Sequence, residues 1–277
     1  MQGGQHRPGG RRPYRQRVYC RQFSFLELSD EQCLQRLRFR KDVLRELCNV
    51  LRQDLEPHKR FRTDLTIETK VTITLNVYAT GYFQSATADI TIISQFSAHR
   101  SIWQVTDALY RGRVDAISFP MTREKQVDRQ AGFINVQLVC DHQHRILVVD
   151  AKYPGSSHDS FILRQTSVPA PFTGPNQDCG WLLGEKGYHL SIWLLTPLWN
   201  PRTVTEHAYS DAHSGTRCII EHCIGILQQR FHGLDRSGGA LQYSPEQVSI
   251  IVVVCCMLHN LALMKGPASG GRANSTT

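Results

Sequence analysis

Residues 181–188 read WLLGEKGY and residues 216–231 read TRCIIEHCIGILQQRF, and these two pieces decide the fold. The first is an apolar run that stops at a glycine-flanked turn, which predicts a short buried strand. The second is predicted to be a helix, because its apolar residues recur at helical spacing on one face: Ile220, Cys223, Ile224, Leu227 and Phe231.

Each of the two pieces carries a carboxylate. Glu185 lies in the turn after the strand, and Glu221 lies beside the apolar stripe of the helix. Acidic side chains at a strand end and on a nearby helix are typical of sites that hold divalent metals for phosphodiester chemistry. Two structural alternatives stay open. Glu185 is also an ordinary turn residue, and Arg217, one helical turn before Glu221, is a candidate ion-pair partner for it.

Composition indicates a globular protein with a basic N-terminal tail. The chain has 277 residues, of which 41% are hydrophobic and 20% charged, and its net charge is +8. That length is enough for a sizeable core. Residues 1–28 are predicted to be a disordered tail, as either a solvated leader or a segment for nucleic-acid contact or nuclear import. Six arginines precede the first acid, Glu27: Arg7, Arg11, Arg12, Arg15, Arg17 and Arg21.

Cysteine usage predicts an intracellular protein with reduced thiols. None of the nine cysteines has CxxC spacing, and the N-terminus has no apolar signal-peptide segment. The apolar run 250–258 is too short to span a bilayer, so we interpret it as a buried helix and expect no membrane contact. The chain has no GxGxxG, GxxxxGK[ST], GxSxG or HExxH motif.

Residues 29–110 are predicted to be helical. One continuous helical pattern covers 29–55, another helix covers 67–78, and two helices separated by a turn near 92–95 occupy 81–109. A short helix, a tight turn and a second helix with a polar start are typical of a helix-turn-helix, although an ordinary helical hairpin is the alternative. The candidate DNA-binding residues at this start are Ser94, Gln95, Ser97, His99 and Arg100.

The C-terminal half is predicted to be an α/β or α+β core. Residues 133–140 and 145–151 form a strong hairpin signal. A helix is expected to begin at His158, so Asp159 lies at its N-terminus, where the helix dipole alone favours an acid. The last helix is predicted to begin with Pro245 at its first position and to be followed by a disordered tail, 266–277.

Four blocks of sequence together carry a resemblance. Residues 133–163, 181–197, 216–234 and 243–260 closely resemble the PIF/Harbinger transposases of the DDE superfamily, including their domesticated, transposase-derived nucleases. Residues 81–109 are similar to the helix-turn-helix region of the same family, and the resemblance covers about 35–265. It implies an RNase H-like nuclease core over 133–265 and a helix-turn-helix-like DNA-binding region over 29–110.

The resemblance also implies a catalytic site. The family holds two Mg²⁺ or Mn²⁺ ions with an Asp-Asp-Glu set, of which the Glu corresponds to Glu221 and the second Asp to Glu185. Asp159 belongs to a family-like PGSxHDS block, as an alternative metal ligand or a supporting residue. The first Asp has no counterpart. Residues 111–132 are read as a linker from which the first catalytic strand is deleted, since Asp115 and Asp128 have no strand context.

Two functions therefore compete. One is a transposase-derived nuclease that hydrolyses DNA phosphodiesters with Mg²⁺ or Mn²⁺, without transposition. The other is a catalytically inactive DNA-binding or scaffolding protein, because the first acid is missing. The resemblance further implies a Myb/SANT-like partner protein that supplies DNA recognition, and a location in nucleus and cytoplasm.

Overall fold

The computed structural model describes residues 23–56, 65–81, 93–112, 134–166, 168, 181–235 and 243–266. Several sequence predictions lie outside these ranges. They concern most of the N-terminal tail (1–22), the first helix of the proposed helix-turn-helix (82–92), the linker with its deleted strand (113–133) and the C-terminal tail (267–277).

The N-terminal helical segment contains two helices. Helix α1 spans Asp30–Leu37 and α2 spans Lys41–Leu55. The prediction of one continuous helical pattern is wrong at Arg38, which takes a left-handed conformation with φ 67° and ends α1. Leu37 and Phe39 are both buried. In one continuous helix, the side chains of Leu37 and Phe39 would point about 200° apart. The break at Arg38 lets both side chains enter the same core.

Two further helices pack against this pair. The helix predicted for 67–78 is confirmed as α3, Ile67–Thr80, although its valines and threonines favour strands. Threonine hydroxyls of α3 donate to carbonyl oxygens one turn earlier, which satisfies them inside the buried helix. Helix α4 spans Gln95–Arg111, and the hydroxyls of Tyr78 and Thr106 lie 2.6 Å apart, joining α3 to α4.

The predicted hairpin is confirmed. Strand β1, Ile134–Cys140, pairs antiparallel with β2, Ile146–Pro154. The chain then enters α5, Asp159–Gln165, which begins directly after His158 as the sequence predicts. These elements place Asp159 at the first position of a short helix.

The apolar run at 181–183 forms only a minimal strand. Strand β3 is Leu182–Leu183 and pairs in parallel with β4, Leu194–Leu195, which the sequence analysis missed. The prediction that this run is buried is wrong, because Trp181 is 69% exposed and Leu183 is 38% exposed.

Helix α6 spans Val204–Arg230 and begins well before the predicted start at residue 216. Its first turns lack apolar periodicity, but a capping box between Thr203 and Glu206 satisfies the free backbone N–H groups there. In its C-terminal half the predicted stripe is partly confirmed, since Cys223 and Leu227 are buried.

Helix α7, Pro245–Lys265, contributes nine buried residues to the core. Its length and apolar composition alone would allow it to cross a membrane, but half of the apolar stretch is buried inside the protein. It packs against β2, α4 and α6. The prediction of a buried helix with Pro245 in its first turn is therefore confirmed.

Asn260 fastens α7 to the hairpin. Its side-chain Oδ1 accepts a hydrogen bond from the backbone N–H of Ile146 at 2.9 Å, and its Nδ2 donates to the carbonyl oxygen of Ile146 at 2.7 Å. In an antiparallel pair, both backbone groups of one residue point to the same side. The backbone N–H and C=O groups of Ile146 both bond to the Asn260 side chain. The amide of Asn260 therefore lies at the edge of β2 that faces away from β1.

Over the described ranges, the strands form two separate two-stranded sheets, β1–β2 and β3–β4. Helix α6 contacts both β1 and β3. The helix carrying Glu221 therefore contacts both sheets and links them.

Candidate active site

Glu185 is held in a tight turn that follows β3. The backbone N–H of Tyr188 donates to the carbonyl oxygen of Glu185 at 3.1 Å and closes the turn. The side chain of Glu185 is 61% exposed. The turn thus places the carboxylate at the carboxyl end of the strand, as the sequence predicts.

Arg217 joins Glu185 to Glu221. Its Nη1 donates to Oε1 of Glu185 at 2.8 Å, and its Nη2 donates to Oε1 of Glu221 at 2.5 Å. The Arg217 side chain is 27% exposed, and the Glu221 side chain is 55% exposed. Glu221 therefore lies outside the buried stripe, and its i,i+4 pairing with Arg217 matches the alternative considered from the sequence. One guanidinium offsets the repulsion between the two predicted metal ligands.

Asp159 supports the same turn from the other side. Asn135 Nδ2 donates to Asp159 Oδ1 at 3.2 Å and fixes the orientation of the carboxylate. A Cβ atom added to Gly187 would lie 3.1 Å from Asp159 Oδ2, so the glycine permits this close approach. Ser160 Oγ also donates to the carbonyl oxygen of Gly187 at 2.5 Å. The N-terminus of α5 thus anchors the turn that carries Glu185.

Tyr188 closes the inner side of the turn. Burial raises the pKa of Tyr188, and the nearby charges of Asp159 and Glu185 raise it further, while a hydrogen bond from Gln137 opposes them. Gln137 Nε2 lies 3.5 Å from the Tyr188 hydroxyl. The phenol therefore stays neutral at physiological pH and serves as a polar contact between β1 and the turn.

A cleft of about 290 Å³ lies beside these residues. We call it the β1–β3 cleft. One wall is formed by residues 137–142, from β1 and the turn after it, and another by residues 181–184, which include β3. The rest of the lining comes from α6 and neighbouring elements: Leu163, Val168, Tyr188, Leu194, Thr216, Arg217, Ile219 and Ile220. The ion-paired Arg217 thus lies at the boundary between the carboxylates and an apolar groove.

Comparison with known proteins assigns the chain to a family. The model of the DDE superfamily endonucleases, DDE_Tnp_4, matches residues 92–260. The chain belongs to the DDE superfamily endonucleases. It is 33% identical to Putative nuclease HARBI1 of Rattus norvegicus over 88% of this chain and 81% of that protein. It is 32% identical to Putative nuclease HARBI1 of Homo sapiens over the same shares.

A more distant relative covers less of the chain. Protein ALP1-like of Arabidopsis thaliana is 23% identical over 47% of this chain and 35% of that protein. No solved structure matches the chain significantly. The family assignment of this DDE endonuclease therefore depends on sequence, and it confirms the resemblance identified from the four blocks.

Two carboxylates are the possible metal donors that the described part of this DDE endonuclease brings together. Glu185 and Glu221 offer carboxylate oxygens, the ligands that Mg²⁺ and Mn²⁺ prefer, and Mg²⁺ is often held by one or two carboxylates with several waters. In the part of the chain that the structure describes, no three His, Cys, Asp or Glu side chains converge on a common ion position. A divalent ion bound by both carboxylates would take the place of the Arg217 guanidinium, which bonds to each of them.

The predicted DNA-binding residues lie at the start of α4. Gln95 and Arg100 are exposed. Ser94 caps the helix by accepting a hydrogen bond from the Ser97 backbone N–H at 3.2 Å. His99 stacks against Tyr243 with ring centroids 6.4 Å apart. The predicted second helix and its cap are confirmed, while contact with DNA stays a prediction.

Sequence reasoning missed the polar residues of β1 that support the site. Asn135 and Gln137 alternate with apolar residues along the strand, and this period places both on one face. Asn135 reaches Asp159 and Gln137 reaches Tyr188. The two amides at alternate positions of this otherwise apolar strand could have predicted a polar face near Asp159 and Tyr188.

Proposed function

We propose that this DDE endonuclease hydrolyses DNA phosphodiester bonds with Mg²⁺ or Mn²⁺, using Glu185 and Glu221 as metal-holding carboxylates. Asp159 supports them by fixing the turn that carries Glu185. The observation that carries this proposal is the contact of Arg217 with both glutamates, because it brings together two acids from distant elements. Membership of the endonuclease family and similarity to proteins named as nucleases support it. Transposition is not part of the proposal.

Each residue has a definite task in this reaction. A divalent ion held by these carboxylates would supply activation of water near neutral pH and charge stabilisation at the phosphate. Glu185 and Glu221 bind and orient that ion, and Arg217 holds the two carboxylates near each other in its absence. Asn135 fixes Asp159, and Gly187 lets Asp159 approach the glutamate turn.

A second candidate function is DNA binding without catalysis. It is favoured by the absence of a third ligand near Glu185 and Glu221 in the described residues and by the first acid missing from the sequence. The net charge of +8 suits a polyanion. The exposed start of α4, with Gln95 and Arg100, would contribute polar contacts to phosphate.

The decisive experiment measures nicking of supercoiled plasmid with Mg²⁺ or Mn²⁺. Under the nuclease proposal, the native chain nicks the plasmid, while Glu221→Gln and Glu185→Gln lower the rate at least about a hundredfold. Asp211→Asn is the matched control, because Asp211 is an exposed acid on the same helix. No nicking with either metal, together with DNA retention that falls steeply with salt, would replace the proposal by the binding function.

The proposal extends to architecture and partners. It includes an RNase H-like core for 133–265, a helix-turn-helix role for the region before it, and DNA as the substrate. It also includes a Myb/SANT-like partner protein and a location in both nucleus and cytoplasm. Fractionation of cells expressing the full chain, with and without residues 1–22, tests the location, and exclusion from the nucleus in both forms would contradict it.

A further inference from the structure

The β1–β3 cleft runs along strand edges. A cavity on the face of a strand is lined by alternate residues, because successive side chains point to opposite sides. This cleft is lined by consecutive residues, 137–142 on one wall and 181–184 on the other. Among the described residues, β1 pairs only with β2 and β3 pairs only with β4. The edges that these pairings leave open therefore face a common groove.

Backbone hydrogen bonds identify a donor on the β3 edge. The N–H groups of Leu182 and Gly184 donate to the β4 side, to the carbonyl oxygens of Trp193 at 2.8 Å and Leu195 at 2.9 Å. Since alternate N–H groups of a strand point in opposite directions, the N–H of Leu183 points away from β4 and towards the cleft.

A buried side-chain acceptor also faces the groove. Gln137 is 7% exposed and lines the cleft, and its Oε1 has no hydrogen-bond partner among the described residues. A buried acceptor without a donor costs free energy. An incoming N–H or O–H group would remove this cost.

Charge in the groove indicates a neutral occupant. The charged lining residues Asp141 and Arg217 already have partners, because Arg145 Nε lies 2.7 Å from Asp141 and Arg217 holds two glutamates. Most of the remaining wall is apolar, with leucines from both sides and two isoleucines from α6. A neutral segment with apolar side chains therefore matches the charge balance of the groove.

We infer that the β1–β3 cleft binds an extended, uncharged segment of another protein with apolar side chains, which adds as a strand between β1 and β3. Its backbone pairs with the open edges, including the Leu183 N–H, and it supplies a donor to Gln137 Oε1. Strand addition of this kind gains affinity from main-chain hydrogen bonds and selectivity from alternate side chains. The inference does not depend on the nuclease proposal.

The test uses the full chain and a fluorescein-labelled peptide of alternating valine and threonine, seven residues long. Fluorescence anisotropy is measured without divalent metal and without DNA, so that failure of nuclease activity has no bearing on the result. We expect saturable binding. Leu183→Pro removes the edge donor and weakens binding about tenfold, whereas Leu183→Ala keeps the N–H group and preserves binding.

Two peptide controls leave the protein unchanged and so are independent of any folding defect. N-methylation of alternate peptide amides is expected to abolish binding, and replacing the central residue by Asp is expected to weaken it. Equal affinity for the methylated and unmethylated peptides would overturn the inference, as would no saturation. A dimer of the chain that Leu183→Pro dissociates, while Leu183→Ala does not, would also overturn it by identifying a second copy as the occupant.

Discussion

The two longest helices among the described residues, α6 and α7, are buried to very different extents. Helix α7 has 21 residues and buries nine of them, whereas α6 has 27 residues and buries three, His213, Cys223 and Leu227. Helix α7 therefore contributes to the common core, and α6 presents most of its surface, including Arg217 and Glu221, outside it. The difference separates the part that stabilises the fold from the part that carries the candidate chemistry.

The largest expected effect tests this separation directly. Leu258→Ala on α7 removes a side chain that is 2% exposed and leaves a cavity, so it should lower the free energy of unfolding by about 2–5 kcal/mol. Ile219→Ala on α6 removes a half-buried side chain at the cleft and should cost about 1 kcal/mol or less. Urea denaturation measures both. Equal costs would show that α6 is as much a part of the core as α7.

A smaller effect appears on acidification. Burial lowers the pKa of His259 to about 4, and the charge of Arg230 also lowers it, while the hydrogen bond to the His144 carbonyl opposes them. The geometry requires the neutral ring, since Nδ1 lies 3.0 Å from the Arg230 donor Nη1 and Nε2 lies 3.0 Å from the His144 oxygen.

The sign of the pH effect follows from this shift. Between about pH 6.5 and pH 4 the unfolded chain binds more protons at His259 than the folded chain does, so stability is lost as the pH falls through that window. The loss is at most about 3 kcal/mol. Denaturation midpoints at several pH values measure it. His259→Gln should flatten the dependence, and an unchanged slope in the variant would contradict the assignment.

The smallest expected effect concerns the exposed helix. Arg217→Gln removes a partly exposed ion-pair partner, so the free energy of unfolding should change by less than about 1 kcal/mol. Without the guanidinium, Glu185 and Glu221 are available to a cation, and under the nuclease proposal Mn²⁺ should bind about fivefold more tightly. Isothermal titration calorimetry measures the affinity. Arg202→Gln, which removes an exposed arginine beside the start of α6, is the control. The same gain in both variants would assign the effect to net charge alone.

The elements with a strong local pattern could be predicted from sequence. The alternation at 133–151 predicted the hairpin, and Ser244 with Pro245 predicted the start of α7. The break at Arg38 could not be predicted, because it arises from two buried side chains that share one core. The early start of α6 was missed for a different reason, although the capping-box pattern of Thr203 and Glu206 can be read from the sequence. Its first turns are stabilised by capping rather than by an apolar face.

The sequence predicted both carboxylates of the candidate site, but a local pattern indicated a specific contact only within the helix. The i,i+4 spacing of Arg217 and Glu221 indicated their ion pair before the structure was known. The position of Glu185 near Arg217 depends on how the turn after β3 packs against α5. Ser160 and Asp159 of α5 make that contact with Gly187. No local pattern encodes such a long-range contact.

The amide of Asn260 has a consequence for how the hairpin can associate. An open sheet polymerises when both of its outer edges accept further strands, since each added chain then offers a new edge to the next. Asn260 occupies the Ile146 backbone groups on the outer side of β2, so a strand from another chain would have to displace this amide to pair at the start of that edge. The amide therefore protects the start of this sheet edge against pairing with another chain.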